Sequence, residues 1–266
     1  MSVVPSTKTR RHLLLVHVTL GLVRHWLSIF IILLSLLNIL PFIAPIAMHL
    51  GWTSVGNAIY TLYSTLCHQM AQRSFFLFGS QTMYNIDKLP LHLTGNTLTD
   101  TFILREFRGD ANLGWKVAWS DRMVAMYGGL WVASIAYGLL RQRYRLKPLA
   151  VWILLLLALP IAIDGTTHMV SDIKGLTLGF RYTNEWLAVL TGRSLTDRFY
   201  IGDALGSFNS WARLISGMLF GVGIAAFGLP FFEQECRFVM SVLNHKLIPD
   251  VHSPLSVQTK GRPNGA

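Results

Sequence analysis

A long stretch without formal charge constrains what this chain can fold into. From Trp26 to Gln72 there is no Asp, Glu, Lys or Arg, and the first part, 26–50, is mostly apolar. A helix of roughly 20 apolar residues is enough to cross the hydrocarbon core of a bilayer. The stretch therefore predicts a membrane protein whose first span, at about 26–50, is kinked at Pro41 and Pro45.

Three further apolar segments predict more spans. They lie at about 123–140, 148–163 and 214–232. In Val55 to Gln72, apolar and polar residues fall on separate helical stripes, which is typical of an interfacial or re-entrant helix. We therefore expect an all-α integral membrane protein with about four transmembrane helices, plus this interfacial or re-entrant helix.

The expected spans divide the chain into one membrane domain and two flanking segments. The membrane domain covers 26–232 and includes two long segments between spans, 51–122 and 164–213. A basic N-terminal segment, 1–25, precedes it and a tail, 233–266, follows it.

The distribution of charge predicts the orientation. Arg and Lys in short loops stay in the cytoplasm, and the loop Arg141–Lys147 has four basic residues and no acid. With four spans, both termini are then cytoplasmic, and the two long segments between spans are extracytoplasmic. The cytoplasmic segments hold 12 basic and 3 acidic residues, against 11 and 10 on the other side.

This asymmetry accounts for nearly all of the +10 net charge. Cytoplasmic basic residues attract anionic lipid headgroups, so the partner that the charge indicates is the lipid bilayer of the cell membrane. The composition, with 52% hydrophobic and only 14% charged residues, excludes a nucleic-acid-binding protein.

The first candidate site is formed by Cys67 and His68, at the end of the expected interfacial helix. A thiol and an imidazole can bind a soft metal ion, or the imidazole can activate the thiol. Adjacent residues on a helix, however, point about 100° apart. The alternative interpretation is a buried cysteine beside a solvated histidine.

The second candidate site follows the third span, at Asp164 and His168. If the helix continues through Gly165, these two residues and Asp172 share one face, which suits a metal ion or an imidazole base oriented by a carboxylate. The alternative is a helix end at which Asp164 pairs with an arginine. In either case Asp164 needs a cationic or imidazole partner, because an unpaired carboxylate beside an apolar span is costly.

These two sites supply the catalytic and metal-binding candidates. The candidate catalytic residues are His68, Asp164 and His168, and the candidate metal ligands are Cys67, His68, Asp164 and His168. The sequence identifies no cofactor.

A third group of residues predicts an anion-binding surface. Arginine side chains fork onto phosphate or carboxylate groups. The candidate substrate-binding residues are Arg73, Arg122, Asn209 and Arg213. The alternative interpretation is a set of structural ion pairs between arginines and nearby acids such as Asp121 and Asp203.

Three motifs together resemble a known family. They are CHQMAQRSFFLFGSQ at Cys67–Gln81, PIAIDGTTH at Pro160–His168 and SFNSWARLISGMLFG at Ser207–Gly221. In this order they are similar to motifs of the prokaryotic predicted membrane proteins grouped as domain-of-unknown-function family 2085. The resemblance covers about Leu66 to Phe232 and implies a multi-pass membrane fold and the positions of the candidate site. It implies no reaction.

The chain departs from this family at one motif. Where the family has Cys-x-Arg-Cys-x-Gly-x-Tyr, this sequence has Ser120 and Met123 for the two cysteines and retains Arg122 and Tyr127. The resemblance thus implies that a cysteine-rich metal or redox site would not be intact here. The chain also has a longer segment at about 82–117, which we expect to be a lid or a partner surface.

Three functions from different classes remain open at this point. The first is an enzyme or binding site at the outer leaflet that acts on an anionic, lipid-like molecule. The second is a non-catalytic accessory or assembly subunit whose partner is another membrane protein. A transporter ranks last, because the expected spans contain no internal acid or base and show no matching halves.

Overall fold

The structure is a computed structural model that describes residues 7–247, with side chains for 14–244. Within this range the helices are α1 (Thr7–Arg24), α2 (Trp26–His49), α3 (Thr53–Tyr63), α4 (Thr97–Glu106), α5 (Asp121–Leu140), α6 (Val151–Asp172), α7 (Phe180–Thr183), α8 (Glu185–Leu190), α9 (Asp197–Tyr200) and α10 (Phe208–Leu247). The strands are β1 (Ser74–Leu77), β2 (Gly109–Asp110) and β3 (Gly114–Ser120). Of the expected cytoplasmic segments 1–25 and 233–266, residues 1–6 and 248–266 lie outside the described residues.

Four helices in the described part of the chain are long and apolar enough to cross a membrane. They are α2, α5, α6 and α10, so the prediction of an all-α membrane protein with four spans is confirmed. Two of these helices extend beyond the segments expected from hydropathy. Helix α6 continues past residue 163 to Asp172, and α10 begins at Phe208 instead of 214. Polar residues expected in the loops therefore lie on the helices.

The chain divides into two compact units. The larger unit, Leu27–Phe231, contains α3 to α9 and the sheet. The smaller unit combines the chain before Leu27 with the chain after Phe231. Within it, the Trp26 indole N–H donates to a Glu233 carboxylate oxygen at 3.1 Å, and the Trp26 ring packs edge-on against Phe232.

Helix α3 packs against the proline-containing part of α2. Pro41 has no N–H, so the carbonyl of Leu37, four residues earlier, loses its helical donor. The hydroxyl of Tyr63 donates to that carbonyl oxygen at 2.9 Å. With 11 residues, α3 is about 16 Å long and too short to span the bilayer.

A small antiparallel sheet, with strand order β1-β3-β2, follows α3. This sheet was not expected from the sequence. The segment 82–117 provides β2 and most of β3, and β3 leads directly into α5. Val117, the last residue of this segment, and the next two residues of β3, Ala118 and Trp119, are fully buried against Tyr60 and Tyr63 of α3. Strand β3 therefore belongs to the hydrophobic core.

Helix α10 packs closely against α5 through Gly217 and Gly221, whose GxxxG spacing in the sequence predicts such close packing of helices. A Cβ atom at Gly217 would lie 2.7 Å from the carbonyl oxygen of Arg122, and one at Gly221 would overlap the carbonyl oxygen of Met126. This contact brings the start of α10 beside the start of α5. We call this end of the four spans, where α5 and α10 begin and α6 ends, the polar end.

Candidate functional site

Helix α6 carries three ionisable residues on one face at the polar end. Asp164, His168 and Asp172 are spaced four residues apart, and the helix continues unbroken through Gly165 to Asp172. Asp164 and His168 are buried, whereas the Asp172 side chain is 19% exposed. The three side chains therefore face other protein groups.

The Asp164 carboxylate lies between two arginines. One oxygen accepts a hydrogen bond from Arg122 Nη2 at 2.6 Å, and the other accepts from Arg181 Nη2, also at 2.6 Å. His168 Nε2 is 3.7 Å from the same carboxylate. The cationic partner expected for Asp164 is thus provided twice, by Arg122, which the sequence indicated as an anion-binding candidate, and by Arg181.

A second pair of carboxylates holds Arg213, near the start of α10. Its Nε lies 2.8 Å from Asp121 Oδ1, and its Nη1 lies 2.7 Å from Asp203 Oδ1. The Arg213 side chain is 2% exposed, and those of the two acids are 0% and 4% exposed. Arg213 thus joins the first residue of α5 to the loop that precedes α10.

Arg73 connects these two groups. Its Nε lies 3.1 Å from Asp203 Oδ2, and its Nη2 lies 3.1 Å from Asp172 Oδ2. The same Nη2 is 3.5 Å from His168 Nδ1, and on the other side of the ring His168 Nε2 is 3.2 Å from Arg181 Nη2. His168 therefore lies between two guanidinium groups.

We call this set the ionic network. It consists of Arg73, Arg122, Arg181, Arg213, Asp121, Asp164, Asp172 and Asp203, with His168 between its two halves. The formal charges of the four arginines and four aspartates cancel. A buried ion that loses its partner destabilises a protein by about 3–5 kcal/mol. The residues of the network therefore depend on one another for the stability of the polar end.

Asp203 illustrates the electrostatics of the network. Burial alone would raise the pKa of its carboxyl, but the guanidinium groups of Arg73 and Arg213 outweigh burial and hold the pKa below its ordinary value. Asp203 is therefore ionised at neutral pH. Its backbone N–H is also bound, since it donates to the Asn85 side-chain oxygen at 3.1 Å.

A cavity of about 130 Å³ opens beside the network. Its lining includes the guanidinium-bearing residues Arg73, Arg122 and Arg213, together with Cys67 and His68. Among the described residues that line it there is no carboxylate. The cavity therefore has a cationic wall. The aspartates that pair with these arginines do not line the cavity.

Cys67 and His68 occupy different positions in this wall. Cys67 is buried, with its Sγ 3.5 Å from Ser120 Oγ and 3.3 Å from the Gln69 backbone nitrogen, which donates to it. His68 is exposed to solvent. This arrangement matches the alternative of a buried cysteine beside a solvated histidine, although both residues face the same cavity.

Two other candidates, Asn209 and His168, contact protein groups away from the cavity. Asn209 is fully buried, and its Nδ2 donates to the carbonyl oxygens of Arg181 at 2.5 Å and Gly202 at 2.9 Å. His168 is enclosed by the two arginines. Neither is among the described residues that line the cavity.

The geometry does not support the proposed metal ligands as a set. In the part of the chain that the structure describes, no three His, Cys, Asp or Glu side chains are arranged to hold a metal ion. Both oxygens of Asp164 are bound by guanidinium groups. Cys67 and Cys236 are both free cysteines.

Lys116, a fully buried residue of β3, was not among the candidates expected from the sequence. Its Nζ donates to the carbonyl oxygens of Gln69 at 2.7 Å and Arg105 at 2.5 Å. Burial, reinforced by the nearby Arg108 guanidinium, lowers the pKa of Lys116 to about 7. A lysine between aromatic and β-branched residues, in GWKVAWS, was the available signal for a strand with an unusual buried cation.

Known proteins are similar to this chain in the region that contains much of the candidate site. The model of a family described as "Predicted membrane protein (DUF2085)" matches residues 111–227. The uncharacterized protein MJ1492 of Methanocaldococcus jannaschii is 28% identical over 167 residues, which are 60% of this chain and 80% of that protein. No solved structure matches. The family resemblance that the motifs predicted is confirmed over residues 111–227, which contain the second and third motifs and which the model of this membrane-protein family matches.

Proposed function

We propose that the cavity at the polar end binds the anionic group of a lipid-like molecule on the extracytoplasmic face of the membrane. The basic loop Arg141–Lys147 supports this orientation. It connects α5 and α6 at the end opposite the polar end, and such loops stay cytoplasmic. The polar end would then meet the outer leaflet.

The cationic wall is the single observation on which this proposal depends. Arg73, Arg122 and Arg213 line the cavity, and no carboxylate is found among its described lining residues. The Nε of Arg122 has no hydrogen-bond acceptor within the described part of the chain. Guanidinium groups match the geometry of phosphate and carboxylate oxygens, so an anionic group is the ligand that this wall fits.

The ionic network would orient these arginines before a ligand arrives. Arg213 is held by Asp121 and Asp203, and Arg73 by Asp172 and Asp203. Side chains held in this way lose little conformational entropy on binding. The network is neutral as a whole. Hydrogen bonds from the guanidinium groups, more than a net positive charge, would therefore stabilise a bound anion.

The size of the cavity indicates how much of the ligand it could enclose. Pockets for whole drug-sized ligands measure roughly 300–1,000 Å³, whereas this cavity measures about 130 Å³. It would accommodate a phosphate or carboxylate group and leave the rest of the molecule outside. For a lipid, that remainder would stay in the bilayer.

The geometry favours binding over catalysis. Of the three catalytic candidates, His68 lines the cavity, whereas Asp164 and His168 are engaged by the arginines. We therefore assign Asp164 and His168 to positioning the arginines, and Arg73, Arg122 and Arg213 to the anion.

A thermal-shift titration tests the proposal. The purified full-length protein in detergent would be titrated with dihexanoyl phosphatidic acid, dihexanoyl phosphatidylcholine or inorganic phosphate. We expect phosphatidic acid to raise the Tm by several degrees and phosphatidylcholine to leave it unchanged, because the quaternary ammonium of phosphatidylcholine would face the arginines. A similar shift with inorganic phosphate would indicate recognition of a free anion, whereas a shift with phosphatidic acid alone would indicate recognition of a lipid headgroup.

Matched variants show whether the cavity causes the shift. We expect His68→Ala, at the cavity, to weaken the response to phosphatidic acid. His92→Ala replaces an exposed histidine that is not among the described lining residues and should respond like the parent. Equal shifts with both lipids in the parent protein would contradict the proposal and favour the accessory-subunit alternative.

A further inference from the structure

Outside the four spans, the larger unit exposes a group of large apolar side chains near the polar end. We call this group the apolar collar. It consists of Leu98 and Phe102 on α4, Ile173 and Leu178 after α6, and Val189 and Leu190 on α8, which are 62–76% exposed. Large exposed apolar surfaces indicate contact with a membrane or another protein.

One part of the collar continues the lipid-facing surface of α6. The exposed apolar residues Leu159, Ile163 and Val170 of α6 lead to Ile173 at helical spacing. The Thr97 hydroxyl donates to the carbonyl oxygen of Asp172 at 2.8 Å. This hydrogen bond places the start of α4, and with it Leu98, beside the end of α6.

The other part of the collar lies beside α10. The Trp186 ring of α8 packs edge-on against Phe208, the first residue of α10, with ring centroids 5.8 Å apart. Trp211 and Ile215, on the exposed side of α10, are 49% and 55% exposed. The apolar side chains of α8 thus adjoin the exposed surface of a second span.

The length of α6 indicates how deep in the bilayer the apolar collar would lie. Helix α6 has 22 residues and is about 33 Å long, compared with a hydrocarbon core of about 30 Å. Its last residue, Asp172, therefore falls near the boundary of the hydrocarbon core, and Ile173 follows it directly.

The charges near the collar are compatible with this depth. On α4, Asp100 is buried and accepts hydrogen bonds from Thr94 and Gly95. Glu106, the last residue of α4, is exposed and lies 3.9 Å from Arg108, so this end of the helix would reach the headgroups. On α8, Glu185 forms an ion pair with Arg193. Exposed Lys174 adjoins Ile173, and a lysine at this level can extend its ammonium group to the lipid headgroups.

We propose that α4, α8 and the residues that follow α6 are immersed in the bilayer leaflet at the polar end. The occupant of the apolar collar is lipid, because the collar continues the exposed apolar surfaces of α6 and α10. The ionic network then lies inside the protein at the depth of this leaflet, and the cavity opens at the level of the headgroups. This inference does not depend on what the cavity binds.

Spin-label accessibility tests this placement in the full chain. Cysteines would be introduced as Leu98→Cys and Leu190→Cys in a Cys67→Ser/Cys236→Ser background, and the protein reconstituted into phosphatidylcholine vesicles. Leu155→Cys, on the exposed apolar surface of α6, is the lipid reference, and Asn112→Cys, at an exposed turn, is the water reference. Labels at 98 and 190 should collide more often with oxygen than with a water-soluble nickel chelate, as at 155.

The opposite pattern would overturn the inference. If the labels at 98 and 190 collide mainly with the nickel chelate, as expected at 112, the collar faces water and is free to contact a partner protein. If they are shielded from both reagents, the collar is covered by a second copy of the chain. Elution of each labelled variant at the volume of the parent protein would show that it is folded.

Discussion

At the scale of single residues, the polar end depends on carboxylates that are shared between arginines. Asp164 binds Arg122 and Arg181 at 2.6 Å each, and Asp203 binds Arg73 and Arg213. The sequence predicted that Asp164 needs a cationic partner, because it follows an apolar span. It could not show which arginine would be that partner, since Arg181 is brought to Asp164 only by the fold of the loop after α6.

The first prediction concerns Asp164. Asp164→Asn leaves Arg122 and Arg181 facing a neutral amide, so it should destabilise the protein by about 3–5 kcal/mol, as is typical when a buried ion loses its partner. Thermal unfolding in detergent measures this loss. Adding Arg122→Gln should recover part of the stability, because it removes one unpaired charge.

The matched control for this variant is Asp87→Asn. The Asp87 side chain is 55% exposed and its nearest cation, Lys88, is 3.8 Å away, so the control should unfold like the parent. Equal unfolding temperatures for Asp164→Asn and Asp87→Asn would show that the network does not stabilise the fold.

The second prediction concerns Lys116. Burial lowers the pKa of Lys116 from 10.5 to about 7 in the folded protein, so between these pH values the unfolded chain binds a proton that the folded chain does not. This residue therefore makes stability rise with pH in that window, by at most about 1.4 kcal/mol per pH unit. Lys116→Met removes this contribution.

Chemical denaturation between pH 7 and pH 9 measures the effect. The stability of the parent protein should increase relative to Lys116→Met as the pH rises. Lys88→Met replaces a lysine whose side chain is 66% exposed and should keep the pH dependence of the parent. Parallel profiles for the parent and Lys116→Met would contradict the assignment of a lowered pKa.

At the scale of helices and strands, hydropathy predicted the spans and spacing predicted the packing of Gly217 and Gly221. Hydropathy placed the end of α6 at 163 because it counts Asp164 and His168 as loop residues, whereas the helix buries them against arginines. The sheet was not predicted, because β1 and β2 contain only four and two residues. Strands this short are defined by their pairing with β3 and carry little signal of their own.

The third prediction tests the contact between α10 and α5. Gly221→Ala would place a methyl group against the carbonyl oxygen of Met126, so it should destabilise the protein by about 1–3 kcal/mol. At Gly228, in the same helix, an added Cβ meets no atom within 4 Å. Gly228→Ala should therefore be neutral or stabilising, by up to about 1 kcal/mol. Equal melting temperatures for the two variants would contradict this packing.

At the scale of the whole molecule, the basic residues at the two ends of the spans differ in their surroundings. Arginines of the loop Arg141–Lys147 are mostly exposed, whereas Arg73, Arg181 and Arg213 are largely buried and paired. Exposed basic residues thus collect at the end opposite the polar end. This contrast is what the predicted cytoplasmic orientation of that end requires.

The fourth prediction is the topology. Reporter fusions at position 145 and at the C-terminus should both report a cytoplasmic location, because four spans place these two points on the same side. A fusion at exposed Asn112 should report the opposite side. An external signal at position 145 would contradict the orientation, and with it the extracytoplasmic location of the cavity.

The central claim is that the arginine-lined cavity retains an anionic lipid, and native mass spectrometry tests it most directly. The intact protein would be released from membranes in mild detergent, alongside Arg122→Gln and the control Arg198→Gln, which changes an exposed arginine. We predict a bound phospholipid with a net negative headgroup on the parent and on Arg198→Gln, and much less of it on Arg122→Gln. The same amount of bound lipid on all three proteins, or no lipid on the parent, would contradict the claim.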